Sequence, residues 1–210
     1  MLTYRIFPYL QSAGPGAPGS PEYLHRPQGN GRVDNPSQYD VWYLAREASG
    51  AVGEVFGDLD TWNDTIFDFP HLPGSRRSLG LYKIPDGSPI LNLDHALTLH
   101  ERGMRPTAVV ERNRAASQKW ALRIFQEANY NGDPLWSGVE WWSFHRPHWR
   151  VLALWGVVPV FVKVEQLDLT HAAVVDAADS LGRVIWPKAR YHQLRSHPLT
   201  CARLDCVPGA

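Results

Sequence analysis

Residues 139–149, with the sequence VEWWSFHRPHW, surround one serine, Ser143, with three tryptophans. A small hydroxyl among bulky aromatic side chains is typical either of a packed core strand or of a pocket wall for a planar ligand. Alternation along a strand predicts that Ser143 points to the same side as Trp141 and away from Trp142. The segment by itself leaves both interpretations open, so its role depends on which other residues meet it.

A second group of residues able to do chemistry lies upstream. Arg32 follows a glycine in GRVDNP, Tyr43 lies in the aromatic segment WYLA, and Glu54 stands eleven residues later in AVGEVF. Glu54 is at the edge of an apolar stripe with helical spacing. Arg5 lies in the strand-like segment YRIF. Arginines bind anionic oxygens in pairs, and one carboxylate can stabilise a cationic transition state.

Each of these residues also has an ordinary structural interpretation. Glu54 can be a solvated helix residue, since most glutamates are exposed. Arg32 can be a turn residue bonded to a carboxylate such as Asp34. Tyr43 can be a core aromatic of a strand, and Ser143 a small packing residue between large ones. The residue types alone do not decide between these alternatives.

Hydrophobic periodicity predicts the elements that must position these residues. Strands are predicted at LTYRIF, YDVWYLA, SLGLYKI, PILNL, VEWWSFH, WRVLALW and VPVFVKVEQL, and helices at EASGAVGEVFGDL, ERNRAASQKWALRIFQEAN and THAAVVDAADSLG. Because the strands cluster at both ends of the chain with helices between them, the pattern predicts an α+β fold. We expect a single domain over 1–210, a Gly/Pro-rich loop at 11–31, and an insertion or lid around 60–103.

Composition and motifs narrow the classes of function. Lysine plus arginine and aspartate plus glutamate number 21 each, so no global charge attracts nucleic acid or an anionic membrane. The longest apolar run, LALWGVVPVFV, is shorter than the ~20 residues that span a bilayer, and the N-terminus lacks a signal-peptide pattern. We therefore expect a cytoplasmic protein. The sequence contains no phosphate-binding loop, dinucleotide fingerprint or nucleophile elbow.

Two cysteines near the C-terminus raise the question of a metal site. Cys201 and Cys206 follow His192 and His197 with the spacing H-x4-H-x3-C-x4-C. Zinc fingers and ribbons usually have tighter ligand pairs separated by a longer spacer. We therefore expect no metal.

The order of the motifs resembles the RES-domain family, which is named for an arginine, a glutamate and a serine. The matching pieces are Arg32 in GRVDNP, the strand WYLA, Glu54 in AVGEVF, and Ser143 in WWS, with the first-strand arginine of YRIF also fitting. The resemblance spans residues 4 to about 164. Two features depart from it. Val33 stands where an aromatic is expected, and the segment 60–103 is long for a compact member.

The resemblance implies a fold similar to ADP-ribosyltransferase toxins, with small mixed or antiparallel sheets flanked by helices. It also implies consumption of NAD, as substrate and without a further cofactor. Many members of the family are toxins neutralised by a helix-turn-helix antitoxin encoded alongside, so we expect such a partner in trans. Self-association into a homo-oligomer through an aromatic surface stays open.

The same resemblance assigns roles to the individual residues. Glu54 would stabilise the oxocarbenium-like ribose formed when the nicotinamide bond of NAD breaks, and would hold a ribose hydroxyl. Arg32, with Arg5 as the second candidate, would bind the pyrophosphate. Tyr43 would offer a flat face to the nicotinamide ring, and Ser143 a hydrogen bond to the ribose or the amide.

Three hypotheses about function follow. The first is an NAD-cleaving enzyme that uses water or phosphate as acceptor, acting as a bacterial toxin that depletes NAD. The second is a protein ADP-ribosyltransferase, which the absence of an E-x-E pair of carboxylates disfavours. The third is a non-catalytic ligand-binding module that uses exposed tryptophans, in which Arg32 and Glu54 would be dispensable.

Overall fold

The structure, a computed structural model, describes residues 1–186. The strands are β1 (Leu2–Tyr9), β2 (Trp42–Ala45), β3 (Thr61–Trp62), β4 (Arg76–Lys83), β5 (Ile90–Asn92), β6 (Gly138–Trp142), β7 (Arg150–Leu154), β8 (Val160–Gln166) and β9 (Val184–Ile185). The helices are α1 (Ala48–Phe56), α2 (Ala96–Glu101), α3 (Pro106–Val110), α4 (Arg114–Phe125) and α5 (Ala172–Leu181), with a 3₁₀ helix at Asp64–Phe67. The histidines and cysteines considered above for zinc lie outside the described residues.

Seven strands form one sheet in the order β5-β6-β7-β2-β1-β4-β8. All neighbouring pairs in it are antiparallel except β5 with β6, and β3 pairs with β9 in a separate parallel ribbon. Strands from the two ends of the chain therefore meet in one sheet, with the helices packed against it. The predicted α+β class is confirmed. None of the helices formed by residues 1–186 is long and apolar enough to cross a bilayer.

The segment 60–103 differs from the insertion or lid that its length suggested. Its strand β4 pairs with β1 along eight residues and with β8 on the other side, and its strand β5 pairs with β6. Leu79 and Tyr82 of β4 are buried at 3% and 0% exposure. A strand hydrogen-bonded on both sides cannot open as a lid without breaking the sheet. Strands β4 and β5 of this segment are therefore part of the main sheet.

Strand alternation divides the core between the two faces of the sheet. Val151 and Ala153 of β7 pack in one buried cluster, whereas the intervening Leu152 and Leu154 pack in another. Val33 and Trp141 belong to the first of these clusters. The valine found where an aromatic was expected is thus a fully buried core residue.

Helix α1 approaches the sheet closely because its buried side carries glycines. A Cβ added at Gly53 would overlap the Trp149 ring, and one at Gly50 would lie 3.3 Å from the same residue. A Cβ added at Gly57, just after the helix, would overlap the His145 ring. The spacing of these glycines keeps them on one helical face, against the segment that follows β6. Glu54, four residues after Gly50, lies on the same side of α1, and its carboxylate reaches Ser143 at the end of that same strand.

Candidate functional site

A cavity of about 840 Å³ opens where β1, β2 and α1 meet two loops, around residues 30–32 and 111–114. Arg5, Arg32, Tyr43 and Glu54, all predicted from the sequence as site residues, line it. The other lining residues are Tyr4, Ile6, Asn30, Gly31, Leu44, Ala45, Ala51, Val55, Asp58, Arg112, Asn113, Arg114, Trp141, Phe144, His145 and Val151. The fifth predicted residue, Ser143, lies directly behind Glu54.

Glu54 and Ser143 are joined by a short hydrogen bond. The serine Oγ lies 2.5 Å from Glu54 Oε1 and accepts the backbone N–H of His145 at 3.0 Å. With its oxygen accepting from His145, the hydroxyl proton is left to donate to the carboxylate. Ser143 is 1% exposed, whereas Glu54 is exposed to the cavity. The serine therefore orients the carboxylate from behind.

The position of Ser143 follows from where its strand ends. Strand β6 stops at Trp142, and the Ser143 N–H donates to the Trp149 carbonyl at 2.8 Å, closing the turn to β7. Trp141 is buried and lines the cavity, while Trp142 is half-buried. The segment examined first is thus core strand up to Trp142, and it reaches the cavity through Trp141 and through two residues that follow the strand, Phe144 and His145.

Arg32 is anchored to the backbone of a distant loop. Its Nη2 donates to the carbonyls of Val109 and Glu111, each at 2.6 Å. Its Nε is buried and has no hydrogen-bond partner among the described residues. Burial lowers the pKa of the Arg32 guanidinium from its usual value, and the nearby Glu54 carboxylate opposes this shift. Asp34 is bonded elsewhere, so Arg32 is not the turn arginine paired with Asp34.

Tyr43 and Asp34 form the buried support of the turn that carries Arg32. The tyrosine hydroxyl donates to Asp34 Oδ1 at 2.6 Å and accepts the Val33 N–H at 3.1 Å. Asp34 Oδ2 accepts the N–H groups of Gly29 and Gly31, each at 2.7 Å. A Cβ at Gly31 would overlap the Tyr43 hydroxyl, so this close approach requires glycine. Burial, assisted by Asp34, raises the pKa of Tyr43 above its usual value.

Arg5 projects from β1 on the same wall. Its Nη1 donates to the Tyr23 carbonyl at 3.1 Å, and its guanidinium carbon lies 4.8 Å from the centre of the Trp42 ring. Burial lowers the pKa of Arg5 from its usual value, while Tyr82 opposes the shift. The contact with Tyr23 also ties the predicted Gly/Pro-rich loop, 11–31, to the sheet.

Sequence reasoning missed the residues at the mouth of the cavity. Arg112 Nη2 lies 2.7 Å from Asp58 Oδ1, and its guanidinium carbon stands 4.2 Å from the centre of the Phe144 ring. Next to it, Asn113 caps α4 by accepting the Ala116 N–H at 3.1 Å, and Arg114 begins that helix. The only sequence signal was the basic run ERNR before the helix, which is equally typical of a solvated helix start.

The charges on the cavity wall favour an anionic ligand. Four arginines face two carboxylates, Glu54 and Asp58, across the cavity. Within residues 1–186, no group of three His, Cys, Asp or Glu side chains is arranged to hold a metal ion. The arrangement suits binding of phosphate oxygens beside one carboxylate that can stabilise a developing positive charge.

The molecule is thus an α+β domain with a cationic cavity built around one serine-bonded carboxylate. The RES domain model matches residues 4–186, and the chain belongs to the RES domain family, as the motif order predicted. A chain of the crystal structure of the M. tuberculosis MbcT–MbcA toxin–antitoxin complex is similar to it, with 14% identity and a TM-score of 0.46. That likeness covers 79% of this chain and 83% of the other. No curated protein matches the sequence.

Proposed function

We propose that the protein cleaves the nicotinamide–ribose bond of NAD. The observation that carries this proposal is the Glu54 carboxylate, held by Ser143 and facing a cavity whose other charged walls are mainly arginines. Membership of the RES domain family supports the same assignment. A cavity of about 840 Å³ also falls within the usual size range of cofactor and small-molecule sites.

The reaction would place a single demand on Glu54. When the C–N bond breaks, its electron pair leaves with the ring as neutral nicotinamide, and positive charge develops on the ribose carbon and ring oxygen. A carboxylate fixed nearby stabilises that charge only as it develops, which lowers the barrier. Water or phosphate then adds to the ribose carbon. Water gives ADP-ribose and a released proton, whereas phosphate gives ADP-ribose 1″-phosphate.

The other residues would bind and orient the dinucleotide. Arg32, whose buried Nε has no hydrogen-bond partner within residues 1–186, and Arg5 would hold the pyrophosphate. The Tyr43 hydroxyl is bonded to Asp34, so its ring would be presented to the nicotinamide in one orientation. Ser143 would act as a positioning residue through Glu54, because its hydroxyl is already occupied by that carboxylate.

The biological role proposed with this chemistry is that of a toxin that depletes NAD in the cytoplasm. We propose a separate helix-turn-helix antitoxin as its partner, with no nucleic acid or membrane as ligand, on the basis of the family resemblance. No cofactor beyond the NAD substrate, and no metal, is part of the proposal.

The tryptophans argue against a binding module with an aromatic surface. All nine lie within residues 1–186, and each is buried or half-buried. Such a module would need them exposed in order to stack on a ligand. The burial of the tryptophans also argues against self-association through an exposed tryptophan surface.

The test is to incubate the pure protein with NAD and measure released nicotinamide, with and without phosphate. We expect nicotinamide together with ADP-ribose, or with ADP-ribose 1″-phosphate when phosphate is the acceptor. NAD labelled in the adenosine part, added with bacterial lysate, separates protein modification from free turnover. Absence of nicotinamide release under all these conditions would overturn the proposal.

A further inference from the structure

An exposed ion pair lies across the mouth of the cavity. The side chains of Arg112 and Asp58 are 58% and 71% exposed, and Phe144, on which the guanidinium rests, is 51% exposed. Arg112 comes from the loop between α3 and α4, whereas Asp58 follows α1. Hydrogen bonding from Arg112 lowers the pKa of the Asp58 carboxyl, so this carboxylate is ionised at neutral pH.

Arg112 differs from the other three arginines on the wall. Among these four arginines, Arg112 alone forms an ion pair with a carboxylate of the residues that the structure describes. Arg5 and Arg32 donate to backbone carbonyls instead. A carboxylate partner occupies the donors that a phosphate would use and also repels an incoming anion.

The backbone beside Arg112 is held by hydrogen bonds, whereas its side chain is held by an exposed ion pair and an exposed ring contact. Arg32 binds the carbonyls of Val109 and Glu111, next to Arg112 in the chain. Exposed ion pairs contribute little to stability, so little free energy opposes an exchange of partner. Stacking on Phe144 would keep the guanidinium near the mouth after Asp58 is released.

We propose that Arg112 is a third phosphate-binding arginine whose resting partner, Asp58, is displaced by a phosphate of the bound dinucleotide. This inference rests on the proposed function and adds to it a residue that selects for phosphate-bearing ligands. Asp58 then acts as a competitor that weakens binding of any anion that does not engage Arg112 fully. A purely structural ion pair makes the opposite prediction for Asp58, because its loss would loosen the mouth and weaken binding.

The experiment is calorimetric titration with ADP-ribose, which contains the pyrophosphate but no bond to nicotinamide. Arg112→Ala should weaken binding by about tenfold or more, the effect of losing a hydrogen bond to a charged group. Asp58→Asn should tighten binding by roughly three- to tenfold, because the competitor and its repulsion are removed. Thermal melts of each variant check that the fold is intact.

The matched control is Asp86→Asn. Asp86 pairs with Lys83 at 79% and 53% exposure, outside the cavity, and its substitution should leave ADP-ribose binding unchanged. If the wild type binds ADP-ribose and Asp58→Asn binds it equally or more weakly, the inference is overturned while the proposed function stands. If the wild type binds neither ADP-ribose nor NAD, both are overturned.

Discussion

The floor and the mouth of the cavity are built in different ways. The floor presents Tyr43 and Glu54, which are held by hydrogen bonds to two buried residues behind them, Asp34 and Ser143. The mouth, made of Arg112, Asp58 and Phe144, is held by an exposed ion pair and an exposed ring contact. The floor is therefore suited to holding reacting groups in one geometry, and the mouth to changing partners.

The expected stability cost of a substitution also differs between the floor and the mouth. Removing one member of a buried hydrogen-bonded set leaves its partner unsatisfied and costs about 1–3 kcal/mol of stability. Removing one member of an exposed ion pair costs about 0–1 kcal/mol. Floor substitutions should therefore change stability, activity or both, whereas mouth substitutions should change ligand affinity with little effect on the fold.

The largest expected effect is on turnover in Glu54→Gln. The amide keeps the size of the side chain but removes the charge that stabilises the ribose cation, so NAD turnover should fall by about 10²–10³-fold or more. Because Glu54 is exposed, the melting temperature should change little. Nicotinamide release and thermal melts on the same preparation measure both quantities.

A control for this substitution is Glu22→Gln, which removes an exposed carboxylate away from the cavity. It should retain wild-type turnover. A well-folded Glu54→Gln variant with near wild-type turnover would remove Glu54 from the mechanism and, with it, the basis of the proposed reaction.

The next effect is on ligand affinity in Arg32→Lys. An ammonium group cannot donate to the Val109 and Glu111 carbonyls and to a pyrophosphate in the same fixed plane. NAD affinity should fall by about tenfold or more, measured by titration in the Glu54→Gln background. An unchanged affinity would make Arg32 a structural anchor of the 109–111 loop and nothing more.

A third prediction concerns stability in Tyr43→Phe. The substitution leaves the Val33 N–H without its acceptor and Asp34 Oδ1 without its donor, so the free energy of unfolding should fall by about 1–3 kcal/mol. The folded-state pKa of Tyr43 is raised, so its contribution is present below the unfolded pKa of about 10 and is lost as pH rises above it. Urea denaturation at pH 7 and at alkaline pH measures both.

Tyr39→Phe provides the comparison. The Tyr39 hydroxyl also bonds within this turn, donating to the Val33 carbonyl at 2.8 Å, and burial raises its pKa to about 12. It is not part of the cavity wall, so its loss should destabilise the fold without changing NAD affinity. If both variants alter affinity equally, Tyr43 has no contact with the ligand beyond supporting the turn.

Local patterns in the sequence predicted much of the fold. Period-two alternation correctly indicated strands such as β1, β7 and β8, and Gly182 ends α5 in the left-handed conformation, as expected for a C-terminal glycine. The pairing of strands is a long-range property, which is why the place of β4 between β1 and β8 was not predicted.

Long-range contacts within the site were likewise not predictable from local sequence patterns. The motif order pointed to five residues, and four of them, Arg5, Arg32, Tyr43 and Glu54, line one cavity. The contact of Ser143 with Glu54 joins residues 89 positions apart, and that of Arg112 with Asp58 joins residues 54 apart. No local period encodes such pairs, so the mouth could not be predicted. The roles of all five residues stay predictions until they are tested by substitution.

The smallest expected effect is in Ser143→Ala. The alanine removes the hydrogen bond that orients Glu54 and leaves the His145 N–H unsatisfied, so turnover should fall by roughly two- to tenfold. A positioning role predicts that kcat falls while KM changes little, because the serine acts through the carboxylate and not on the substrate. Steady-state kinetics with NAD separate the two parameters.

Ser143→Leu tests whether the Ser143 side chain is tightly packed or faces an open pocket. With the serine 1% exposed, a leucine would overpack the turn after β6 and destabilise the fold by about 1–3 kcal/mol. A serine facing an open pocket would instead tolerate leucine in the fold and lose only turnover. Thermal melts paired with nicotinamide release on both variants distinguish these outcomes. A stable, inactive Ser143→Leu variant, together with a raised KM in Ser143→Ala, would place the hydroxyl against the ligand and end its assignment to the buried support of Glu54.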